Sequence, residues 1–244
     1  MTAAPVLDGV GFGLVELDLL ATHAGTPFPF PLRVPEFGRI PGEREVLFAA
    51  AGVTLRARGL AGERGPLGIA AEVVTALREY RGTVDLVLTG PDGAVGVVAM
   101  VYRSWALVCH QPLTGDDAAN GVRIRRVAQN ALAGELAALV PEADPAVLMP
   151  ITLPPGGDDP KVLAELEVVV PELTGTGQLG GSRRDHRGTT RCDTELSWLD
   201  GPRGRVRVHR ADDGWISVNS LRQNELRFAL HDVAMIARRE HDGS

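Results

Sequence analysis

The spacing of apolar residues in the first third of the chain predicts two amphipathic helices. Apolar side chains recur at intervals of three and four residues over residues 41–58 and again over residues 67–80, which places them on one face of a helix. Gly59 and Gly82 stand where these helices are expected to end. The segment of residues 10–22 instead contains an alternation of apolar and acidic side chains at residues 14–19, and this pattern predicts a strand that leads into a short helix or turn.

The middle of the chain changes to the alternation that is typical of strands. Strands are predicted over residues 84–88, 94–102, 105–110 and 122–127, followed by a helix over residues 128–139. A strand near residues 151–153 comes next. A further helix is predicted to open at residues 158–160, because aspartate at the cap and proline at the first position are helix start signals.

Residues 177–218 predict consecutive strands joined by polar turns. Leu196 and Trp198 alternate with polar residues, and after the turn at residues 200–204 the alternation resumes with Val206 and Val208. We therefore expect these four apolar side chains to share one face of a sheet, with a highly charged face opposite. Helices from elsewhere in the chain are expected to cover the apolar face.

A last helix is predicted over residues 220–239, where Ser220 and Gln223 are spaced as a capping box. Its apolar face is formed by Leu226, Leu230, Val233 and Ile236, while Phe228 and Met235 lie on another side.

The grouping of strands apart from helices predicts an α+β protein built of antiparallel β-sheets with helices. The order strand, helix, several antiparallel strands and closing helix occurs twice, over about residues 14–140 and about 147–239. This repeated order predicts one domain, residues 1–244, that consists of two pseudo-symmetric halves.

Composition and charge exclude several classes of function. The formal net charge of −6 gives no electrostatic basis for binding phosphate backbones, so nucleic acid is not an expected partner. The sequence contains neither a run of about 18 apolar residues nor a signal-peptide pattern, so we expect a cytoplasmic protein without a membrane span. Cys109 and Cys192 lack CxxC spacing and are expected to be packing residues in a reducing compartment.

Residues 175–180 fit the expression GxGxxG. A dinucleotide site requires a strand before this motif and a helix after it, so that the helix amino end meets the pyrophosphate. Here a helix-like segment precedes the motif and strand residues follow it. We therefore expect a flexible glycine turn and no bound cofactor.

Asp185 and His186 lie between arginines at residues 183, 184 and 187 and resemble a catalytic acid–base pair. No GxSxG elbow accompanies them, and we expect them to lie at a solvated strand end or hairpin tip. The alternative is a hydrolase or small-molecule-binding enzyme in which Asp185, His186 and the hydroxyl of Ser182 act together. Cys109 and His110 are adjacent in a predicted strand, so their side chains point to opposite faces and cannot pair.

The histidines never occur at HxxxH, HxH or HExxH spacing, and the paired aspartates stand at predicted turns. The sequence therefore predicts no catalytic, cofactor or metal site.

Three segments of the C-terminal third follow one another before the last helix. They are GQLGGSRRDHRG at residues 177–188, LSWLDGPRGRVRV at residues 196–208 and DDGWISV at residues 212–218. In this order they resemble the EspG family, the secretion-associated proteins of actinobacterial type VII (ESX) systems. The N-terminal part has the layout of the same family, with VELDLLATHAG at residues 15–25 and AVGVVAMVYRSWALVCHQ at residues 94–111.

One departure marks the chain as a divergent member of this family. After the hairpin tryptophan the family tends to have an Asp-Thr pair before Gly-Arg-aromatic, whereas this chain has Asp200-Gly201 and Gly204-Arg205-Val206.

The resemblance implies a cytosolic chaperone without enzymatic activity and an α+β fold of two pseudo-symmetric halves. It also implies a partner, the helical tip of a PE/PPE-like or other helical-hairpin ESX secretion substrate. In mycobacterial relatives this substrate is a PE–PPE heterodimer in which the PPE protein is contacted. An apolar surface rimmed by charge suits this role, because it can cover an aggregation-prone helical tip reversibly.

Buried aromatic anchors are expected to dominate such binding. The candidate contact residues are Trp198, Leu199 and Trp215 of the strand meander and Leu226, Phe228 and Met235 of the last helix. Ordinary core packing is the alternative for each of them, above all for Trp198 and Trp215, which can face the covering helices.

Overall fold

Antiparallel strands form most of the structure. The computed structural model describes residues 8–114, 121–155, 160, 164, 167, 172–185 and 188–238. Most of the helix predicted to open at residues 158–160 lies outside the described residues. The strands are β1 (Val10–Phe12), β2 (Ala61–Gly62), β3 (Gly65–Pro66), β4 (Gly82–Gly90), β5 (Gly93–Tyr102), β6 (Trp105–Pro112), β7 (Val122–Ala128), β8 (Ile151–Leu153), β9 (Gly175–Asp185), β10 (Gly188–Arg191), β11 (Leu196–Gly201), β12 (Gly204–Arg210) and β13 (Ile216–Ser220). The helices are α1 (Leu14–Ala24), α2 (Glu43–Ala57), α3 (Gly68–Glu79), α4 (Leu132–Ala137) and α5 (Gln223–Arg238).

Among the described residues, eleven strands form one antiparallel sheet. Its order is β1-β7-β6-β5-β4-β9-β11-β12-β13-β8, and β10 pairs with β9 off this path. The strands β2 and β3 form a separate two-stranded ribbon. The predicted α+β class with antiparallel sheets is therefore confirmed.

The pair β4–β9 joins the strands that come early in the sequence to those that come late. It runs over eight positions, from Gly82 opposite Arg183 to Thr89 opposite Thr176. Strands β1 and β5–β7 lie on one side of this pair, while β8 and β11–β13 lie on the other. The division into two pseudo-symmetric halves stays a prediction.

Helices α4 and α5 cover one face of the sheet. The buried residues of α5 are spaced so that they share one side of the helix, as the last helix was predicted to do. They are Leu226, Leu230, Val233, Ala234 and Ala237, and they belong to the same apolar cluster as Val84, Leu86, Leu179 and Trp198 of the sheet. Burial of one leucine side chain stabilises a fold by about 1.5–3 kcal/mol, so this cluster holds α5 firmly against the strands.

Helices α1 and α3 pack on the other face of the sheet, and α2 packs on α1. The acidic residues of α1 bind basic side chains of α2 or just beyond it. Asp18 accepts two hydrogen bonds of 2.9 Å from the guanidinium of Arg44, and Glu16 accepts one of 3.0 Å from Arg58. The alternating residues 14–19 therefore all lie in α1, after the short strand β1, and the buried carboxylates of this helix need these partners.

The predicted capping box at the start of the last helix is wrong. Ser220 is the final residue of β13, and its hydroxyl donates to the carbonyl oxygen of Ala146 at 2.5 Å. The backbone N–H of Arg222 is instead bonded by the carboxylate of Glu225 at 2.8 Å. Glu225 lies in the first turn of α5, where a negative charge also interacts favourably with the helix dipole.

The predicted single apolar face of the β11–β12 hairpin is also wrong. Trp198 lies opposite Arg207 and Leu199 lies opposite Val206, so Trp198 and Val206 project from different faces of the sheet. Trp198 packs under α5, while Leu199, Val206 and Val208 pack with β8, β13 and the segment around Ala146. Both faces of the hairpin therefore carry apolar packing.

Candidate partner-binding surface

The glycine-rich motif lies inside strand β9 and serves packing. A Cβ on Gly177 would lie 1.9 Å from Cζ2 of Trp198, and one on Gly181 would lie 2.6 Å from Cγ1 of Val233. The expected flexible turn is therefore wrong, because the segment is a regular strand that pairs with both β4 and β11. Its glycines leave room for side chains that cross the sheet surface.

The proposed enzyme residues do not meet. Ser182 is buried, and its hydroxyl is 2.7 Å from that of Thr83 on the neighbouring strand. Asp185 is three positions further along β9, so its side chain points to the opposite face. There Oδ1 of Asp185 accepts a hydrogen bond of 3.1 Å from the N–H of Gly188, which belongs to β10. His186 lies outside the described residues. Ser182 and Asp185 therefore cannot act on one substrate.

Cys109 and His110 are separated in the same way. Cys109 is fully buried beneath α1 and α3, and burial raises the pKa of its thiol to about 12. A thiol with this pKa is protonated at neutral pH and is a poor nucleophile. His110 is half-buried on the opposite face, and burial lowers its pKa, with nearby Arg123 acting in the same direction.

Within the described ranges, no cluster of three or more histidine, cysteine or acidic side chains has the geometry to hold a metal ion. The buried carboxylate of Asp85 is instead bonded at two points by the guanidinium of Arg191, at 2.6 and 2.9 Å. Arg191 also donates to Glu195 at 2.7 Å. This arrangement ties the β9–β10 hairpin to the centre of the sheet.

The predicted contact residues separate into buried and exposed groups. Trp198 and Leu226 are 1% and 0% exposed and belong to the core under α5, so neither offers a surface to a partner in this structure. Leu199 is half-buried on the other face of the sheet. Trp215, Phe228 and Met235 are 43%, 66% and 41% exposed, so three of the six residues stay available for binding.

Phe228 and Met235 lie on the outer side of α5, seven residues or about two helical turns apart. The exposed side chains of Arg227, His231 and Asp232 lie beside them. Large exposed apolar residues that are rimmed by charge are typical of protein-binding surfaces.

A groove borders α5 on each side. The groove between α4 and α5 has a volume of about 590 Å³, and its floor is formed by small residues that include Ala133, Gly134 and Ala137. The groove between α5 and strands β11–β13 has a volume of about 560 Å³. It contains Phe228 on the helix and the polar side chains of Arg207, His209 and Asn219 on the strands. We call α5 and these two grooves the α5 surface.

Arg205 fixes the position of the α5 surface, and the sequence pattern did not identify it as important. This arginine is 0% exposed, and its guanidinium donates to both carboxylate oxygens of Asp200 at 2.6 and 2.8 Å. It also donates to the carbonyl oxygen of Pro141 and to Oε1 of Gln223, both at 2.9 Å. These bonds connect the β11–β12 hairpin to the segment after α4 and to the first residue of α5.

The sequence model of the EspG family matches residues 14–232 of the chain. No curated protein matches the sequence significantly. In the part of the chain that the structure describes, no helix combines the length and apolarity needed to cross a membrane.

The fold is similar to a solved structure of the Mycobacterium tuberculosis type VII secretion system chaperone EspG5 in complex with the PE25-PPE41 dimer. The TM-score is 0.67 and the sequence identity is 13%. The similarity covers 97% of this chain and 99% of that chain, so it extends over both sides of the β4–β9 pair.

Proposed function

The chain belongs to the EspG family, and we propose that it is a non-enzymatic chaperone of a type VII secretion system. In this proposal it binds the helical tip of a PE/PPE-like secretion substrate in the cytoplasm and keeps that substrate soluble until export. The structurally similar EspG5 is a chaperone whose structure was solved in complex with a PE25-PPE41 dimer, and this supports the same class of partner here.

The observation that carries the proposal is the exposure of Phe228 and Met235 on α5, between two grooves. Burying an exposed aromatic or methionine side chain in a complex is favourable by about 1.5–3 kcal/mol, and a few such anchors dominate most interfaces. The inner side of α5 is already committed to the core of the sheet. The helix can therefore offer its outer side to a partner without unfolding.

The shape and charge of the α5 surface suit a helical tip. An amphipathic helix end can place its apolar side chains against Phe228 and the small-residue floor of the α4–α5 groove. Arg207 and Glu225, at the edges of the other groove, can bond the polar groups and free backbone groups where a helix ends. Trp215 is exposed on the β12–β13 turn and is a further candidate anchor.

The test is co-expression of the chain with the PE/PPE-like or other helical-hairpin protein encoded beside it, followed by size-exclusion chromatography. We expect the two proteins to co-elute and the substrate to be soluble only when the chaperone is present. A Phe228→Asp variant should fold but fail to keep the substrate soluble, because it buries a charge in the interface. Failure to form a complex with any such neighbour would contradict the proposal.

A further inference from the structure

We propose that the two grooves beside α5 fix the direction in which the helical hairpin of the substrate docks. The α4–α5 groove takes the C-terminal end of the first helix of the hairpin, and the groove between α5 and the strands takes the N-terminal end of the second helix. This inference deepens the chaperone function proposed above and rests on it. It is carried by the opposite hydrogen-bonding groups that the two grooves present.

The α4–α5 groove presents a row of hydrogen-bond donors. Gln223, Arg227 and His231 line it at intervals of four residues along α5, so they follow one another on one side of the helix. At a rise of 1.5 Å per residue the row extends over about 12 Å. The guanidinium of Arg227 can only donate, and a neutral histidine offers one N–H.

The buried arginine Arg205 sets the direction of the Gln223 amide. Its guanidinium donates to Oε1 of Gln223 at 2.9 Å, and because arginine carries donors only, the amide oxygen must be the atom that faces it. The NH₂ group is therefore turned away from Arg205. Since Arg205 is completely buried and Gln223 lines the groove, Gln223 presents two N–H donors to the groove and no acceptor.

These donors suit main-chain carbonyl groups better than carboxylates. With histidine counted as neutral, the charged residues among those that line the groove are Arg227 and Glu142, which form an exposed ion pair of 3.2 Å. Such a pair is weak, so Arg227 can exchange it for an oxygen of a partner, whereas Glu142 would repel an acidic partner. The last four carbonyls of a helix have no intrahelical donor and carry partial negative charge. The groove is thus complementary to the C-terminal end of a helix.

The groove between α5 and the strands has the opposite character. Its charged lining residues are Glu195, Glu225, Asp232 and Arg207, three acids against one base. Glu195 is held by Arg191, while Asp232 is exposed on α5. The first N–H groups of a helix have no intrahelical acceptor and carry partial positive charge. This groove is therefore complementary to the N-terminal end of a helix.

The width of α5 matches the spacing of a helical hairpin. A helix with its side chains is about 10–12 Å wide, and the axes of two packed helices lie about 8–10 Å apart. The two helix ends at the tip of a hairpin can therefore reach the two sides of α5 together. Phe228, which lines the groove on the strand side, would then contact apolar side chains of the tip.

An exchange of donor for acceptor at Gln223 tests the α4–α5 groove. Gln223→Glu keeps the size of the side chain and still offers Arg205 an oxygen, but it turns a carboxylate oxygen toward the groove in place of the NH₂ group. Isothermal titration should show that the affinity for the substrate that co-elutes with wild-type protein falls by about tenfold or more. The matched control is Asn224→Asp, the same chemical change on the next residue, which is exposed and lines neither groove. It should bind as wild type does.

Two further variants keep the test independent of the folding of Gln223→Glu. Arg227→Met retains most of the stem but no donor, and Asp232→Asn removes a negative charge from the other groove without changing its size. Both side chains are exposed, so both variants should fold as wild type does in urea unfolding. Each should weaken substrate binding by about threefold.

Photo-cross-linking tests the direction of docking. The native cysteines are buried, so a benzophenone can be attached to Ala138→Cys in the α4–α5 groove or to Ser217→Cys in the other groove. Mass spectrometry of the cross-linked peptides should find the last turn of the first helix at position 138. It should find the first turn of the second helix at position 217.

Two results would overturn the inference while the chaperone function stands. One is the reverse assignment of the cross-linked peptides, and the other is equal binding of Gln223→Glu and Asn224→Asp to a substrate that co-elutes with wild type. Co-elution with wild type is scored first. If no hairpin protein co-elutes, the chaperone function itself is rejected, and the direction of docking with it.

Discussion

Arg205 and Asp200 lie directly opposite each other on β12 and β11, and the Nε of Arg205 is 2.6 Å from Oδ1 of Asp200. The arginine is completely buried and stacks near the ring of Trp198, with 5.6 Å from its Cζ to the ring centroid. One ion pair thus fixes the hairpin, the tryptophan beneath α5 and the start of α5 relative to one another.

Arg205→Ala should lower the free energy of unfolding by about 3–5 kcal/mol, because it leaves the carboxylate of Asp200 and the oxygens of Gln223 and Pro141 without their donor. Urea unfolding measures this change. The control is Arg207→Ala on the same strand, where the side chain is exposed and the change should stay within about 0.5 kcal/mol. Equal effects of the two substitutions would show that the buried ion pair does not stabilise the fold.

Gly177→Ala should destabilise the protein by about 1–3 kcal/mol through overpacking. The new methyl would overlap Cζ2 of Trp198, and the tryptophan has no room to move because Arg205 and α5 enclose it. Gly134→Ala on α4 is the opposite case, since nothing outside the neighbouring backbone of its own helix lies within 4 Å of its Cβ position. There the higher helix propensity of alanine should add up to about 1 kcal/mol. Thermal unfolding of both variants beside wild type checks the predicted difference in sign.

Phe228→Ala should weaken substrate binding by tenfold or more, which is about 1.4 kcal/mol. Its free energy of unfolding should change by less than about 0.5 kcal/mol, because the ring is 66% exposed. Isothermal titration with the co-purified substrate measures the affinity. Val147→Ala is the matched control, since Val147 is fully exposed and lines neither groove of the α5 surface. A loss of affinity in the control equal to that in Phe228→Ala would move the binding surface elsewhere.

Leu226→Ala separates core packing from binding on the same helix. Leu226 is fully buried, so its truncation should cost about 2–5 kcal/mol of stability. The folded variant should nevertheless bind the substrate with an affinity close to that of wild type. A large loss of affinity in folded Leu226→Ala protein would mean that the residue reaches the partner after all.

The protein should lose stability on mild acidification partly through His110. Burial lowers the pKa of His110 from its ordinary value of 6.5, so the unfolded chain binds a proton more readily than the folded one does. The contribution of His110 to stability is therefore present above that value and is lost as the pH falls through the folded-state pKa. His110→Gln should flatten the fall in unfolding free energy between about pH 7.5 and about pH 5.5. An unchanged fall in the His110→Gln variant would show that this histidine does not contribute to the pH dependence.

Sequence pattern identified the elements of the fold better than it identified their mutual orientation. Most of the helices and strands lie close to their predicted positions, because long amphipathic or alternating runs determine local structure. The prediction of a single apolar face for the β11–β12 hairpin was wrong for a specific reason. Gly201 pairs with Gly204, which leaves a loop of two residues and sets even-numbered residues of β11 opposite odd-numbered residues of β12. A turn that is one residue longer would have produced the predicted apolar face.

The burial of polar residues was the other feature that the sequence pattern could not predict. Arg205, Asp85 and Ser182 are buried, yet charged and hydroxyl residues in a strand are ordinarily exposed. Their partners lie on other strands or on helices, as Gln223 does for Arg205, and the spacing within one segment cannot reveal such pairs. The exposed positions of Phe228 and Met235 could be predicted, because they fall outside the apolar stripe of their own helix.

The β4–β9 pair cannot form until late in the synthesis of the chain on the ribosome. Strand β4 leaves the ribosome before β9, which is synthesised about ninety to one hundred residues later. At about 5–20 residues per second, the edge of β4 waits roughly 5 to 20 seconds with a full row of unpaired backbone groups. The nascent chain of this proposed chaperone therefore exposes an unpaired strand edge of its own until β9 has been synthesised.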